Sequence, residues 1–300
     1  MNDIDVTAYV LGKPVVKLSH PFKSDDCVFG SAKLDEQEVK QGFFERCTFA
    51  NISFKKSVLK NTQFQHCVFV GCYFRRAELV DCGFVGCRFL DCNFNHIALK
   101  SCDFRYTSFS GCQLPFDELQ HCLPSEPNLR EDLARNLYLE SSRLGLAAEA
   151  RRYRMAEIRA REANLKAAVL GQSYWYREHY DFAARAIALG RLILSLLNRR
   201  LWGYGQRSWV LVLNLAIAAF AIFPLIFYLL RDGIQKSSHQ PVTVSDLFYF
   251  SLQNILPTGI QSGIEAASLG TRIAAGAEAI FGIIALALFA SYIYRWSLHR

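Results

Sequence analysis

The residues best suited to chemistry in this chain are ten cysteines, all within the first 122 positions. Thiols bind soft metals, form disulfides or act as nucleophiles. Here all ten share one phase of a five-residue repeat, in which small residues also occur at Ala32, Ser57, Thr62, Ala77 and Thr107. No paired C-x-x-C spacing of the zinc type occurs. We therefore expect reduced thiols that pack as small hydrophobic side chains, with no bound metal or other cofactor.

The remaining candidate catalytic groups are scattered along the chain. Histidines stand at positions 20, 66, 96, 121, 179, 239 and 299 without a common spacing. No glycine-rich phosphate loop follows a strand pattern, and no nucleophile and base form a recognisable pair. The sequence predicts no catalytic residue and a protein that is not an enzyme.

The cysteine phase belongs to a longer periodic pattern. Every fifth residue from Phe29 to Leu119 is large and apolar, and the small residue stands two positions before it. Two inward positions per five residues, separated by the strand spacing of two, indicate a coil that turns a corner every five residues. Aliphatic residues replace phenylalanine every twenty positions, at Val39, Leu59, Leu79, Leu99 and Leu119. This longer period predicts four sides per coil.

On these residues, segment 24–124 resembles the pentapeptide-repeat family. The resemblance implies a right-handed quadrilateral β-helix, here of about five coils, with a central Phe or Leu and a small residue both facing inward. Some acidic members of that family resemble DNA, but this segment carries a net charge of −1. It is neither an acidic mimic nor basic enough to bind nucleic acid, so no nucleic-acid partner is expected.

The chain changes character after the repeat, which predicts a multidomain protein. Residues 1–23 form an N-terminal segment, and residues 125–170 have the pattern of an α-helical hairpin that caps the solenoid. Residues 171–208 mix aromatic, aliphatic and arginine residues, as an amphipathic interfacial helix and linker would. Segment 125–208 carries a net charge of +6. We expect this band to contact anionic lipid at the cytoplasmic face, with a solvated charged linker as the alternative.

Two long apolar segments predict an integral protein of the inner or cell membrane. Trp209 to Leu230 has no charged residue, and Ile273 to Tyr294 has one, Glu278. Each is long enough to cross a bilayer; two buried helices of a large soluble core are the alternative. The N-terminal sequence has no signal-peptide pattern. More basic residues precede the first span and follow the second than lie in the loop between them. Because basic residues favour the cytoplasmic side of a membrane, we expect both termini in the cytoplasm.

The segment between the spans predicts a re-entrant half-helix. It opens with a possible N-cap at Ser245 or Asp246 and ends near Ile255 or Leu256, before Pro257 and Gly259. Such backbone is tolerated at membrane depth only where protein or a water-filled cavity surrounds it. Together with the two spans, residues 209–300 resemble the two-transmembrane pore module of the potassium-channel superfamily. The resemblance implies a pore loop, a tetramer and inorganic ions as the transported species.

The filter position departs from that family. Where a Gly-Tyr-Gly string is expected, the chain reads Gln253, Asn254, Ile255, Leu256, Pro257, Thr258, Gly259. Potassium selectivity therefore does not transfer. We expect a shorter constriction of low or different selectivity, formed by these filter candidates.

The second span carries residues that could support this loop. Glu278 could bond backbone N–H groups near Thr258 and Gly259 or pair with Arg272; snorkelling to the outer interface is the alternative. Gly276 and Gly282 lie in a stripe of small residues that permits close helix packing or bending of an inner helix. In the first span, Pro224 predicts a kink and Asn214 a bond to a neighbouring helix.

These features predict a tetrameric channel or channel-like pore with a cytoplasmic β-helix that acts as a sensor or protein-docking domain. The alternative is a membrane-anchored, non-conducting interaction scaffold built on the pentapeptide repeat.

Overall fold

The structure, a computed structural model, describes residues 22–30, 33–205, 208–236, 241–256 and 263–298. The chain divides into two compact units, Met1–Leu189 and Gly190–Arg300. Each unit has its own architecture.

The first unit begins with a solenoid of short strands. They are β1 (Phe22–Asp25), β2 (Val28–Gly30), β3 (Glu38–Lys40), β4 (Gly42–Glu45), β5 (Thr48–Ala50), β6 (Val58–Lys60), β7 (Gln63–Gln65), β8 (Val68–Val70), β9 (Glu78–Val80), β10 (Gly83–Val85), β11 (Arg88–Leu90), β12 (Ala98–Lys100) and β13 (Ser108–Ser110). They form three parallel sheets in the orders β1-β4-β7-β10, β13-β11-β8-β5-β2 and β12-β9-β6-β3. Single bridges that join Lys33, Ser53, Tyr73, Asn93 and Gln113 close the fourth face.

The register confirms four sides per coil. Paired residues are twenty positions apart, as in Phe29 with Phe49 and Leu59 with Leu79. Because two sheets have four strands and one has five, the chain completes about four turns. The expected fifth coil is incomplete: after β13 the chain enters a short helix, although Leu114 and Leu119 still fill the inward positions.

A left-handed residue makes each corner. From Asn51 to Gly111, every fifth residue has a positive φ, and it always lies two positions after the central apolar residue. Glycine adopts this conformation freely, and other L-residues do so at a cost of about 1–2 kcal/mol. Most corners nevertheless carry other residues, such as Arg76 and Tyr106. Packing of the interior therefore sets the turn, not local backbone preference.

The interior consists of stacked phenylalanine rings. Phe69 lies 4.6 Å from Phe89 between ring centroids, and Phe74 lies 5.2 Å from Phe94, with interplanar angles of 9° and 4°. Rings in neighbouring columns meet edge to face, as do Phe84 and Phe89. Offset stacks and edge contacts of this kind add about 0.5–1.5 kcal/mol per pair to the free energy of burial.

All ten cysteines are free thiols, and all except Cys27 are buried. Their position also has a polar role: Cys72 Sγ donates to Phe49 O at 3.2 Å and Cys82 Sγ to Leu59 O at 3.3 Å, each 23 residues back. Thr107 Oγ1 makes the equivalent bond to Phe84 O at 2.6 Å. This explains why Cys, Ser and Thr alternate at the small inward position.

A helical hairpin follows the solenoid. After α1 (Phe116–Leu119), α2 (Pro127–Arg143) and α3 (Ala147–Leu170) pack side by side, with Gly145 at φ +73° in the predicted turn. Asn136 covers the last strand, because its side chain accepts from Phe109 N at 2.8 Å and donates to Phe109 O at 3.0 Å. Tyr153, fully buried, donates to Leu114 O at 3.0 Å. The free edge of β13 is thereby satisfied.

Two further helices, α4 (Tyr174–His179) and α5 (Phe182–Trp202), follow the hairpin. Along α5, apolar side chains such as Ile193, Leu197 and Leu201 are exposed. The division between the two units falls within this helix.

The second unit contains the apolar helices. Its elements are α6 (Ser208–Ile217), a π-helical turn (Ala218–Ile222), α7 (Phe223–Leu229), β14 (Ile234–Lys236), α8 (Val244–Ile255), β15 (Ile264–Ala266) and α9 (Leu269–Leu298). β14 and β15 pair antiparallel, and α8 packs against the π turn, α7 and α9. Two segments are long and apolar enough to cross a membrane, Val210–Leu229 and Leu269–Ser291.

Candidate functional site

The short helix α8 is the centre of the second unit. It has 12 residues, about 18 Å of helix, and is too short to cross a bilayer. It ends at Ile255, as predicted. Its N-cap is Thr243, so the predicted N-cap at Ser245 or Asp246 was wrong. Asp246, at the third helical position, accepts from Thr243 N at 2.9 Å and completes a capping box.

The start of α8 is also held by charge. Lys236 Nζ lies 3.1 Å from both oxygens of Asp246. The bonds from the Thr243 backbone N–H and hydroxyl, together with Lys236, lower the pKa of Asp246. Asp246 therefore stays ionised at the positive end of the helix dipole, which stabilises this end of α8.

Ser251 links α8 to both apolar helices. Its hydroxyl lies 3.0 Å from Ala219 O in the π turn and contacts Glu278 Oε1 on α9. Both Ser251 and Glu278 are fully buried. One polar side chain of α8 thus contacts both the π turn and α9.

Pro224 explains why the carbonyl of Ala219 is free. In the π turn the N–H of Phe223 bonds Ala218 O, which leaves Ala219 O without its ordinary helical donor. The donor one position further on would be Pro224, which has no N–H. The helix is therefore irregular before Pro224 in the form of a π turn, and Ser251 bonds the carbonyl that this turn frees.

The C-terminal end of α8 lies directly against α9. A Cβ atom at Gly282 would lie 2.0 Å from Ile255 O, whereas a Cβ at Gly276 would meet nothing within 4 Å. Of the two predicted small-residue positions, Gly282 lies at the described helix contact. Gly276 is exposed.

The filter candidates are only partly described. Gln253, Asn254 and Ile255 form the end of α8 and Leu256 is its C-cap, whereas Pro257, Thr258 and Gly259 lie outside the described residues. The contact expected between Glu278 and the backbone near Thr258 also falls there. Arg272 is exposed and donates to Ala266 O at 3.0 Å.

The Asn254 amide lies beside the Glu278 carboxyl group. Glu278 Oε2 and Asn254 Nδ2 are the two buried side-chain polar atoms without a hydrogen bond in the described part of the chain. Ser251, Asn254 and Glu278 thus form a polar cluster within an otherwise apolar unit. We call these three residues the buried polar cluster.

A second structural feature, the junction between α5 and α6, was predicted from the sequence only in part. Asn214 Nδ2 donates to Arg200 O at 2.8 Å and Leu201 O at 2.9 Å, which confirms the predicted bond to a neighbouring helix. Tyr204, at φ +57°, places its hydroxyl 2.8 Å from Ser195 O. The only sequence signal was the Gly203-Tyr204-Gly205 string, which forms a 3₁₀ turn here.

These observations define a quadrilateral parallel β-solenoid, joined in the same chain to two helices long enough to span a membrane. Residues 42–115 match the family model described as "Pentapeptide repeat region". This part of the chain is therefore a pentapeptide-repeat β-helix.

Solved pentapeptide-repeat structures match about a third of the chain. A trypsin-treated variant of QnrB1, described as a plasmid-mediated fluoroquinolone resistance protein, is 15% identical, with 31% of this chain and 58% of that chain covered at a TM-score of 0.27. Rfr23 from the cyanobacterium Cyanothece 51142 is 13% identical, with 31% and 80% covered and a TM-score of 0.22. The chain thus spans little more than half of the QnrB1 variant. The assignment of the repeat rests on the family model and not on these structures, whose TM-scores are below 0.5, and no curated protein matches the chain.

Proposed function

We propose that this protein is an integral membrane protein of the inner or cell membrane that forms a channel-like pore for inorganic ions. In this proposal the two apolar helices cross the membrane, α8 is a re-entrant half-helix, and both termini lie in the cytoplasm. The pentapeptide-repeat domain then acts in the cytoplasm as a sensor or docking domain for a protein partner.

The observation that carries this proposal is the position of α8. A 12-residue helix lies between two membrane-length helices, and Ser251 bonds to both of them. Irregular backbone on either side of such a helix is tolerated within a bilayer only where it faces protein or water. A water-filled path beside the end of α8 would meet that condition.

One copy cannot enclose a path with two spans and a half-helix, so the pore requires several copies. We propose a tetramer, by resemblance to the potassium-channel pore module. The constriction would be formed by Gln253 to Gly259, with Glu278 and Arg272 as supports and Gly282 as the packing point of the inner helix. Gly276, which is exposed, is available for contact with another copy.

The exposed apolar side chains and arginines of α5 support contact with anionic lipid at the cytoplasmic face. Ile193 and Leu197 are half exposed to solvent, and Arg199 and Arg200 follow them. A helix with these two kinds of residue binds at the surface of a bilayer that carries negative charge.

The test measures both the oligomeric state of the protein and the ion flux through it. Native mass spectrometry of the full-length protein in nanodiscs should give a tetramer, and liposomes loaded with a potassium- or sodium-sensitive dye should show flux. Gln253→Ala should change the flux, whereas Glu265→Gln, an exposed substitution in β15, serves as the matched control. A monomer, or intact tetramers without flux under voltage, tension or added ligand, would exclude the pore.

The second candidate is a membrane-anchored scaffold without conduction. The absence of Gly-Tyr-Gly at the filter position favours it. If cells that carry Gln253→Ala and Glu278→Gln keep the phenotype of the parent protein while deletion of the repeat abolishes it, the scaffold is the better account.

A further inference from the structure

A groove lies between the first apolar helix and α8. It has a volume of about 470 Å³, and its lining includes Phe220, Ala221, Leu225, Tyr228, Val244 and Phe248. Apart from the tyrosine hydroxyl, none of these side chains carries a polar group. A volume of this size falls within the usual range of small-molecule sites.

The groove depends on the same irregularity that frees Ala219. The π turn and Pro224 widen the helix at the point where the first turn of α8 meets it, and Pro224 itself lines the groove. The walls are open: Leu225 is 60% exposed and Phe220 59%. An apolar surface of this kind requires a hydrophobic occupant.

A basic side chain stands next to one of the wall residues. The guanidinium of Arg231 lies over the ring of Tyr228, 5.5 Å from its centroid. The nearby Lys236 is already neutralised by Asp246, whereas Arg231 has no carboxylate partner within the described ranges. Asp232, its neighbour in sequence, is exposed to solvent. Arg231 is therefore the cation available to an anionic group at this site.

We propose that the groove binds one phospholipid with an anionic headgroup, with an acyl chain against Phe220, Leu225 and Phe248 and the phosphate on Arg231. This inference rests on the proposed membrane location but not on conduction. Charge complementarity identifies the headgroup, since an arginine guanidinium matches phosphate oxygens in geometry.

The volume distinguishes an acyl chain from a helix of a second copy. From Phe220 to Tyr228 the first helix rises about 12 Å, and a partner helix roughly 10 Å across would need on the order of 900 Å³ over that length. The groove offers about half of this volume. A single flexible chain fits without a change in the walls.

The test uses the full-length protein purified in detergent, titrated with palmitoyl-oleoyl phosphatidylglycerol or with the phosphatidylcholine of the same chains. Native mass spectrometry counts the bound lipids. We expect one tightly retained phosphatidylglycerol per chain. Arg231→Gln should weaken its binding about fivefold and leave phosphatidylcholine unchanged, as expected for the loss of one basic residue beside an anionic headgroup. Arg88→Gln, the same charge change on the solenoid, is the control.

A second pair of variants tests the groove itself. Ala221→Trp fills it and should abolish retention of both lipids, while Leu213→Trp, on an exposed part of α6 outside the groove, should not. Equal retention in all variants would overturn the proposal. Dissociation of the oligomer by Ala221→Trp, with lipid counts unchanged, would show that a second copy occupies the groove. Absence of ion flux leaves these results unaffected.

Discussion

Gly282 on α9 faces the carbonyl oxygen of Ile255, the last residue of α8, so closely that a Cβ atom there would lie 2.0 Å from that oxygen. The obstacle is backbone, which cannot move aside as the end of a flexible side chain can. Any side chain at position 282 must therefore push α8 and α9 apart. Gly282 therefore sets how closely α9 approaches the end of α8, which carries the first filter candidates.

We expect Gly282→Ala to destabilise the second unit by about 1–3 kcal/mol, the usual cost of overpacking. Thermal unfolding of the protein in detergent, followed by tryptophan fluorescence, measures the effect as a lower melting temperature. The matched control is Gly276→Ala on the same helix, where a Cβ would meet nothing within 4 Å. Equal melting temperatures for the two variants would contradict the contact.

Ser251→Ala should also destabilise the unit, because it removes the hydroxyl group that contacts both Ala219 O and the Glu278 carboxyl group. Each buried group left unsatisfied costs about 1–3 kcal/mol. Pro224→Ala restores an N–H that can reach the Ala219 carbonyl, so the cost of Ser251→Ala should be smaller in that background. A thermodynamic cycle of the four proteins measures this coupling. Strict additivity would show that the proline does not control the free carbonyl.

The Asp246 contacts predict acid sensitivity. The hydrogen bonds from Thr243 and the contact with Lys236 lower the pKa of Asp246 below its ordinary value of 3.8. A carboxyl group with a depressed pKa in the folded state stabilises the fold above its ordinary pKa, and this contribution is lost as the pH falls through the lower value.

Asp246→Asn should therefore lower stability at pH 7 by about 1 kcal/mol, the typical value of a helix cap, and the difference from the parent should shrink below pH 3.8. Melting temperatures between pH 7 and pH 3 test this expectation. Asp232→Asn, at an exposed neighbouring position, is the control. If the difference in melting temperature between the parent and Asp246→Asn does not depend on pH, the charge of Asp246 does not stabilise the fold.

The thiols of the solenoid should differ in reactivity according to burial. Burial raises the pKa of Cys82 to about 11. At Cys122 the hydrogen bond with Cys102 lowers the pKa of the thiol, but this residue is only 4% exposed. Because a reagent needs both a thiolate and access, native protein should react rapidly with maleimide at Cys27 alone.

Mass spectrometry of proteolytic fragments after a short maleimide pulse locates the label. Cys27→Ser should remove the fast phase, and denatured protein should take up ten labels, one for each cysteine. Rapid native labelling of Cys82 would contradict the closed interior.

The solenoid could be predicted from sequence because its signal is repeated. Two inward residues in every five specify which side chains of each strand face the interior, and an aliphatic residue every twenty positions specifies the register between strands. The contact of Asn136 with Phe109 could not be predicted in the same way, since it joins a helix to a strand edge 27 residues away and occurs once. A single contact leaves no periodic trace in the chain.

Those parts of the candidate site could be predicted that depend on the local conformational preference of a residue. Pro257 cannot continue a helix from the preceding residues, and α8 ends at Ile255 as expected. The partner of Glu278 was not predicted, because Ser251 lies 27 residues away in the sequence and meets it only through the packing of α8 on α9. Likewise, Asp246 resembles an N-cap in the sequence, but it lies three residues after the N-cap and forms the second half of a capping box with Thr243.

The helical hairpin provides the last prediction, at Glu157. This side chain is 1% exposed and receives Arg135 Nε at 3.2 Å, Arg154 Nη1 at 2.5 Å and Arg161 Nη2 at 2.7 Å. Glu157→Gln keeps the shape but removes the charge that the three guanidinium groups share. Loss of one partner from a buried ion pair costs about 3–5 kcal/mol, and the partial exposure of the arginines places this case near the lower value. The change should lower the melting temperature of the first unit and leave that of the second unaltered.

Glu178→Gln, at an exposed position in α4, should change stability by no more than about 0.5 kcal/mol. If the two substitutions have equal effects on thermal unfolding, followed by circular dichroism, solvent already screens the arginines and the network does not stabilise the hairpin.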